Sequence, residues 1–253
     1  MYLSSFSSPL SPIINLIKTR LELGKSFERL SSGMKINRAS DDPAGLVISE
    51  KMRARIGEIS QLIRNIEYQN NKYATAESGL AAMQVNLQEI RDIALAASDD
   101  GIVTGEMRAA YQSIVNRNIE GYNNIIRNTN LGTQPLLNGA EGSVADINEF
   151  DHLDITDPAG ARQAIETIDS KINEILTIRA DIGGKQKYQF GSQKSNLQTE
   201  LINLTEAEST IRDTDMAREY ANMISKEIKL KAGMSLLAHR NLLSGFIVDL
   251  IAR

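Results

Sequence analysis

The chain has 253 residues, of which 42% are hydrophobic, 24% are charged and 5% are aromatic, with no tryptophan. This composition is ordinary for a soluble protein, and the scarcity of aromatic rings favours long helices packed through aliphatic side chains over a compact enzyme. The sequence contains no cysteine, so disulfides, thiolate metal sites and thiol nucleophiles are excluded.

The net charge of −4 is distributed unevenly along the chain. Residues 1–35 and residues 226–253 each carry five Lys/Arg and two acidic side chains, which gives each end +3 and leaves −10 between them. Basic ends can indicate a membrane or nucleic-acid partner, but solvated helix faces are the simpler interpretation. No secretory signal is recognised in residues 1–12, and no apolar run approaches the roughly 20 residues of a membrane span. We therefore expect neither nucleic-acid binding nor membrane insertion.

Helical periodicity dominates the first hundred residues. Side chains that are apolar except for Arg20 recur at alternating intervals of three and four between Ile13 and Leu30, and Gly33 is placed to end this first helix. Asp42 and Pro43 then start a second helix, because the Asp side chain caps free N–H groups and proline fits the first turn. Its apolar seam continues to residue 97, which predicts a rod roughly 80 Å long at about 1.5 Å per residue. Such a rod needs partner helices to cover its seam.

Turn signals separate this rod from the second half of the chain. Residues 99–101 break the long helix, and a third helix is predicted over residues 106–127. Residues 130–157 are rich in turn-forming side chains, and Asn138-Gly139 is the best hairpin signal among them. One or two short strands are expected in this stretch, with apolar positions at Val144, Ile147, Leu153 and Ile155.

The second half of the chain mirrors the first. Residues 157–158 repeat the Asp-Pro start signal, and a fourth helix follows with the same three–four rhythm. Gly183 and Gly184 should weaken that helix by about 1 kcal/mol each, after which the seam resumes as far as residue 211. A last helix is predicted over residues 216–237. Each terminal helix alone is marginal in water, so the two are expected to pair with each other or with other subunits.

Candidate chemistry is confined to a few side chains. Asp41 and Asp42 could form an acid–base or metal-binding pair, but a helix cap explains both their position and the proline that follows. His152 and His239 have no second histidine at helical spacing, so a zinc-protease signature is absent. The methionines of the last helix are better explained by packing than by cofactor binding. We therefore expect no catalytic residue, no metal and no cofactor.

Six segments, taken together and in order, resemble bacterial flagellins. The first two are RLSSGMKIN at residues 29–37 and SDDPAGLVISEKMR at residues 40–53. The others are TAESGL at residues 75–80, LQEIRD at 87–92, RADIG at 179–183 and ESTIRDTDMA at 208–217. The resemblance extends over about residues 29–130 and 160–238, whereas the first 28 residues and the tail from residue 239 depart from the family pattern.

The resemblance implies a mainly α fold, a long antiparallel helical bundle or coiled coil with a small β-hairpin between its N- and C-terminal halves. Residues 1–42 with 209–253 would form an inner coiled-coil domain of terminal helices. Residues 43–208 would form an outer rod, with the hairpin near residues 130–157 and a helix that runs on through its glycine pair. The residues expected to pair in the inner core are Leu16, Leu23, Phe27, Leu30, Met223, Leu230, Met234 and Leu237.

The resemblance also implies roles for two further groups of residues. The start of the long helix, where the inner domain leads into the rod, is expected at Asp41, Asp42, Pro43 and Gly45. Filament contacts and recognition by an innate-immune Toll-like receptor are implied for a rod surface formed by Gln88, Glu89, Arg91, Asp92 and Ile114. Receptor-recognised members usually carry a base in place of Glu89 and an acid in place of Ile114. Weak receptor activation is therefore expected, because partner charges would remain unpaired.

The implied function is that of a structural, non-enzymatic subunit that self-assembles into the flagellar filament for motility. The implied partners are other copies of the chain, an export chaperone, the hook-associated junction and cap proteins, and the type III export apparatus. The implied location is secreted, in the extracellular filament. Two alternatives stay open: a hook–filament junction protein, which residues 48–53 and 211–217 disfavour, and a coiled-coil adhesin or membrane-surface protein that uses the basic ends.

Overall fold

The fold is mainly α. It is described from a computed structural model, which covers residues 10–251 and, within them, the side chains of residues 12–240 and Leu242. In chain order the elements are α1 (Leu10–Ser32), α2 (Pro43–Ala97), α3 (Gly105–Asn128), β1 (Asn130–Leu131), β2 (Gln134–Pro135), α4 (Pro158–Gly184), a π-helical segment (Lys185–Phe190), α5 (Gly191–Arg212) and α6 (Met216–Ile251). The predicted mainly α fold and the predicted small antiparallel hairpin between the two halves of the chain are both confirmed.

The chain divides into two compact units. The terminal unit contains the residues up to Glu58 and those from Leu201 onwards, and the central unit is Ile59–Glu200. In the terminal unit α1 ends where Gly33 adopts a φ of +72°, as its glycine predicted. The segment that follows α1 is joined to the end of α5 and the residues after it by two backbone hydrogen bonds. Lys35 N donates to Arg212 O at 2.6 Å, and Thr214 N donates to Gly33 O at 2.9 Å.

The central unit is built around an apolar core from antiparallel helices. The second half of α2 contributes buried side chains at intervals of three and four, and these pack with the inward faces of α3 and α4. Tyr122 is its largest fully buried residue and meets Phe150 edge-on, with ring centroids 5.0 Å apart. The core side chains of α2 are Ala76, Leu80, Met83, Leu87, Ile90, Ala94 and Ala97.

The hairpin lies within the predicted region near residues 130–157, but at an earlier turn than expected. Strands β1 and β2 turn at Gly132, which has a φ of +63°, whereas Asn138 forms only an isolated bridge with Asp146. The expectation of a hairpin at Asn138-Gly139, and of strands through the apolar positions after it, is therefore wrong. Those positions lie in irregular chain, and Ile147, Leu153 and Ile155 are buried while Val144 packs against the core.

Side-chain amides from α3 take the place of a partner strand for this irregular segment. Asn123 donates to Phe150 O at 2.8 Å and accepts from Phe150 N at 2.9 Å. Gln112 donates to Leu153 O at 2.7 Å and accepts from Ile155 N at 2.7 Å. Because these amides satisfy the backbone groups, the extended chain can be buried without a β-sheet.

The helix runs on through the glycine pair, as the family resemblance implied, but with altered geometry. After Gly184 the backbone forms the π-helical segment and returns to α-helix at Gly191. Phe190 lies at the end of this segment and meets Tyr73 of α2 edge-on, with ring centroids 5.2 Å apart. Packing against α2 therefore stabilises helical structure through Gly183 and Gly184, although glycine has a low helix propensity.

Candidate assembly surfaces

Helices α1 and α6 form an antiparallel pair in the terminal unit. The side chains that face the partner recur with heptad spacing at Leu16, Thr19, Leu23, Ser26 and Leu30 on α1. On α6 the corresponding residues are Glu219, Met223, Lys226, Leu230, Gly233 and Leu237. The pair therefore alternates between layers of Leu or Met and layers of small or polar residues.

The eight residues predicted to pair in the inner core divide between the two sides of this helix pair. Met223 is buried, and five others are half-buried in the seam, namely Leu16, Leu23, Leu30, Leu230 and Leu237. Phe27 and Met234 lie on the outside, where 55% and 51% of their surface is exposed. Ser26 and Gly233 occupy the seam positions beside them.

Sequence reasoning missed the polar layer of the pair. Ser26 is buried, and Lys226 Nζ donates to its Oγ at 3.0 Å. One oxygen of the buried Glu219 lies 3.7 Å from Arg29 Nη1, and the other has no hydrogen-bond partner among the described residues. Ser26 continues the spacing of Leu16, Leu23 and Leu30, but the more hydrophobic Phe27 does so equally well, so the sequence of α1 alone gives no signal for the polar layer.

The predicted start of the long helix uses its two aspartates in different ways. Asp42 Oδ1 accepts from Gly45 N at 2.9 Å and so caps α2. Asp41 Oδ2 instead accepts from the amides of Arg38 at 3.1 Å and Asn37 at 3.3 Å, which closes the preceding turn. The hydrogen bond from the Arg38 amide is the main cause that lowers the pKa of Asp41 below its usual value, and nearby Lys25 lowers it further.

Gly45 is buried because the turn approaches the first turn of α2 closely. A Cβ at this position would lie 2.9 Å from Asp42 Cγ and 2.9 Å from Ile36 Cδ1. Pro43 is the first residue of α2 and leaves no amide unsatisfied there. The four residues therefore form one local structure in which cap, turn and close packing depend on each other.

The predicted rod surface on α2 is divided between two neighbouring helices. Arg91 Nε donates to Asp169 Oδ1 of α4 at 2.6 Å, and this contact raises the pKa of Arg91. Glu89 accepts from Asn118 Nδ2 of α3 at 3.5 Å. Exposed Gln88 and Asp92 lie between these two on the helix surface, and Ile114 is an exposed residue of α3.

The positions matched by two family models agree with this arrangement of helices. Residues 10–141 match the bacterial flagellin N-terminal helical region, and residues 165–251 match the bacterial flagellin C-terminal helical region. The chain belongs to the bacterial flagellin family. As a flagellin it is a structural subunit of the bacterial flagellar filament.

Relatives of similar length support the same assignment. A flagellin of Halalkalibacterium halodurans is 34% identical over 239 residues, which cover 86% of this chain and 87% of the relative. A flagellar filament 33 kDa core protein of Treponema phagedenis is 30% identical over 270 residues, with 92% and 93% covered. A flagellin of Bacillus subtilis is 28% identical over 272 residues, with 86% and 88% covered. This flagellin therefore matches nearly the whole of each relative.

Neither a metal centre nor a membrane span is found in the part of this flagellin that the structure describes. In that part no three His, Asp or Glu side chains are grouped so that they could hold a metal ion. No helix there is both long and apolar enough to cross a bilayer.

Proposed function

We propose that this flagellin works by self-assembly, without a catalytic step, and that α1 and α6 supply the main contacts between copies. In this proposal the terminal unit lies in the inner part of the filament and the central unit forms the outer rod. The relatives that are named as filament core proteins support polymerisation of this chain. The distribution of apolar side chains on α1 and α6 carries the proposal.

The seam of the α1–α6 pair is only partly apolar, and the pair also carries large apolar side chains on its outer surface. Large aliphatic side chains point outward, whereas five seam positions are polar or small, namely Thr19, Ser26, Glu219, Lys226 and Gly233. Leu21 on α1 is 67% exposed and Leu236 on α6 is 71% exposed. Ile13, Ile17 and Leu21 lie one helical turn apart on α1 and are all exposed. An exposed apolar stripe of this kind marks a protein–protein contact, and its burial contributes about 25 cal/mol per Å². Further copies of the chain can supply that burial.

Contacts between different faces of identical subunits form a ring where the rotation between copies closes, and an open helical polymer where it does not. A copy that buries the outward face of its neighbour still presents its own outward face to the next copy. Repetition of this step gives an open helical polymer, which is the form that a filament needs. Because the seam between α1 and α6 contains polar and small residues, the helix pair of a single copy is weakly stabilised, and contacts between copies would be favoured.

The family also suggests how the subunit reaches its place. We propose export through the flagellar type III apparatus with an export chaperone as escort, followed by folding at the tip of an extracellular filament. The hook-associated junction and cap proteins are the proposed neighbours at the two ends of that filament. Secretion and these partners would follow from membership of the flagellin family.

Seeded polymerisation followed by negative-stain electron microscopy tests the proposal. Purified chain, seeded with filament fragments, should give long filaments of uniform width. Leu21→Ser combined with Leu236→Ser should abolish growth while the circular dichroism spectrum stays helical, because both side chains are exposed. Glu22→Ser, an exposed neighbour on α1, is the matched control and should polymerise normally.

The same experiment separates the proposal from its alternative. Short stacks or rings, under conditions where another flagellin forms filaments, would indicate a hook–filament junction protein. Filaments of normal length from the double serine variant would refute the role given to the outward faces of α1 and α6.

A further inference from the structure

The Asn138-Gly139 pair lies in a surface loop of the central unit and belongs neither to the hairpin nor to the core. It is the single Asn-Gly pair of the chain, and both residues are exposed. Gly139 has a φ of +70°, which its lack of a Cβ allows. For the same reason, no side chain on Gly139 shields its peptide nitrogen from the neighbouring carboxamide. The pair therefore places a nucleophilic nitrogen next to an accessible carbonyl carbon.

The Asn138 side chain is folded back over the peptide nitrogens that follow it. Its Oδ1 accepts a hydrogen bond from Ala140 N at 3.2 Å, whereas its Nδ2 donates to no group in the part of the chain that the structure describes. An N–H that points at a carbonyl oxygen stabilises the negative charge that develops there when a nucleophile attacks the carbon. The structure thus activates Cγ of Asn138 and leaves its amide nitrogen free to depart.

The Gly139 nitrogen is weakly held within a loop that is closed on both sides. Gly139 N donates to Ala145 O at 3.3 Å, which is longer than the usual range of about 2.7–3.2 Å. Shorter bonds close the loop beside it, since Ile147 N donates to Leu137 O at 3.0 Å. The fold therefore fixes the position of the pair without engaging the reacting nitrogen strongly.

We propose that Asn138 is a site of spontaneous deamidation that the fold promotes. Gly139 N forms a bond to Asn138 Cγ, its proton passes through solvent to the departing nitrogen, and the Cγ–Nδ2 bond breaks with release of ammonia. Water then opens the resulting succinimide ring at one of its two carbonyl carbons. Opening at Cγ gives an aspartate, and opening at the main-chain carbon gives an isoaspartate. In total, one water is consumed and one ammonia is released.

The products alter the loop through charge and through chain length. Asn138 and Asp146 face each other in an isolated antiparallel bridge, and a Cβ at Gly139 would lie 2.5 Å from Asp146 Cγ. A carboxylate at position 138 would therefore face a second one, and like charges directly opposite each other destabilise an antiparallel pair. Isoaspartate also lengthens the main chain by one methylene group next to Leu137. Each modified chain should thus carry one more negative charge and a looser loop, whether or not it has assembled.

Peptide mapping by mass spectrometry tests the site. Full-length chain is incubated at mildly alkaline pH in water labelled with heavy oxygen and is then digested. The peptide with Asn138 should gain labelled aspartate and isoaspartate faster than any other asparagine of the chain reacts. Asn138→Gln keeps the amide but would need a six-membered ring, so this control should gain no label at the position. Wild-type chain without labelled product at position 138 would overturn the proposal.

A comparison of folded and unfolded chain tests the part played by the fold. Ala140→Pro removes the N–H that donates to Asn138 Oδ1 and leaves the reacting atoms unchanged. It should slow the reaction of the folded chain about two- to tenfold, the effect of one exposed hydrogen bond. In urea the two rates should be equal, and Ala140→Ser, which keeps the N–H, should react like wild type in both states. If folded wild type reacts no faster than folded Ala140→Pro or than wild type in urea, the fold does not promote the reaction.

The effect on the loop is tested with a variant that imitates one product. In Asn138→Asp, hydrogen exchange of the Ile147 amide should accelerate about two- to fivefold, because two carboxylates then face each other. Addition of Asp146→Asn to the same chain should restore the wild-type exchange rate. Exchange that stays at the wild-type rate in Asn138→Asp would overturn the charge effect.

Discussion

At the scale of single residues, Gly45 is fixed by its surroundings. An alanine Cβ would press against Asp42 Cγ and Ile36 Cδ1, each 2.9 Å away, and would displace the carboxylate that caps α2. We expect Gly45→Ala to lower the free energy of unfolding by about 1–2 kcal/mol, despite the better helix propensity of alanine. Urea unfolding followed by circular dichroism measures this change.

Gly57 supplies the control for that measurement. It lies in the same helix, and a Cβ there would meet nothing within 4 Å. Gly57→Ala should therefore raise stability by about 0.5–1 kcal/mol, as helix propensity alone predicts. Equal shifts in the two variants would contradict the close packing assigned to Gly45.

The Asp41 carboxylate makes stability depend on pH. Its pKa lies below the usual value of 3.8 in the folded chain, chiefly because the Arg38 amide donates to the ionised form. A lowered folded pKa gives stability that is fully present above the usual pKa and is lost as the pH falls through the folded pKa. The difference in stability between wild type and Asp41→Asn should thus be constant from pH 7 to about 5 and should shrink below about pH 4. A difference that persists unchanged to pH 2.5 would refute this role.

At the scale of elements, the seam of α1 and α6 was only partly predictable. The three–four rhythm located both helices, but two rows of α1 side chains have that rhythm, one through Phe27 and one through Ser26. Hydrophobicity selects Phe27 when the helix is considered alone. In the structure the row through Ser26 faces α6, because Lys226 donates to Ser26 and because Gly233 leaves room for Leu16. The choice depends on the partner helix, and a single helix sequence does not contain it.

Gly233 is the position where this register is most easily tested. A Cβ there would lie 2.5 Å from Leu16 Cδ2, so the two helices could not keep their present separation. We expect Gly233→Ala to reduce the stability of the terminal unit and to impair seeded polymerisation. Gly24→Ala on α1, where a Cβ meets nothing within 4 Å, should leave both unchanged or slightly improved. Hydrogen exchange of α1 and α6 amides, together with filament length, provides the readout.

The irregular segment of the central unit depends on polar contacts that its sequence does not reveal. Hydrophobic alternation there resembles a strand, but Asn123 and Gln112 satisfy the backbone at Phe150, Leu153 and Ile155 from α3. Such contacts join residues 27 to 43 positions apart, so local turn chemistry cannot indicate them. The hairpin of β1 and β2 was expected at a different turn for a separate reason, because the stronger Asn-Gly signal lies outside it.

Removal of one amide clamp should loosen this segment. In Asn123→Ala both backbone groups of Phe150 lose their partner near the core, which should cost about 1–3 kcal/mol. Amide exchange around Phe150 should accelerate, and the urea midpoint of the central unit should fall. The neighbouring, exposed Asn124→Ala is the control and should change neither quantity. Equal effects of the two substitutions would contradict the clamp.

At the scale of the whole molecule, the sequence was sufficient to predict the family of the chain but not the side-chain contacts between its separate elements. Long helices, their Asp-Pro starts and the order of six short segments are local features, and they identified fold class and function together. Arg91 pairs with Asp169, and Arg108 donates to Ala97 O and Asp99 O, so that both arginines join separate elements. These pairings are specific to three-dimensional packing and became visible only in the structure.

Folding and assembly should be separable when residues 242–253 are deleted. The side chains of residues 243–253 lie outside the described residues, and the sequence alone predicts that this apolar tail takes part in polymerisation. The core of the central unit lies wholly between Ala76 and Ile182, so its cooperative unfolding should keep its wild-type midpoint. Seeded growth should be abolished or give distorted filaments by electron microscopy. Normal filaments from the truncated chain would show that the tail is dispensable, and a large loss of central-unit stability would show that the two units do not fold independently.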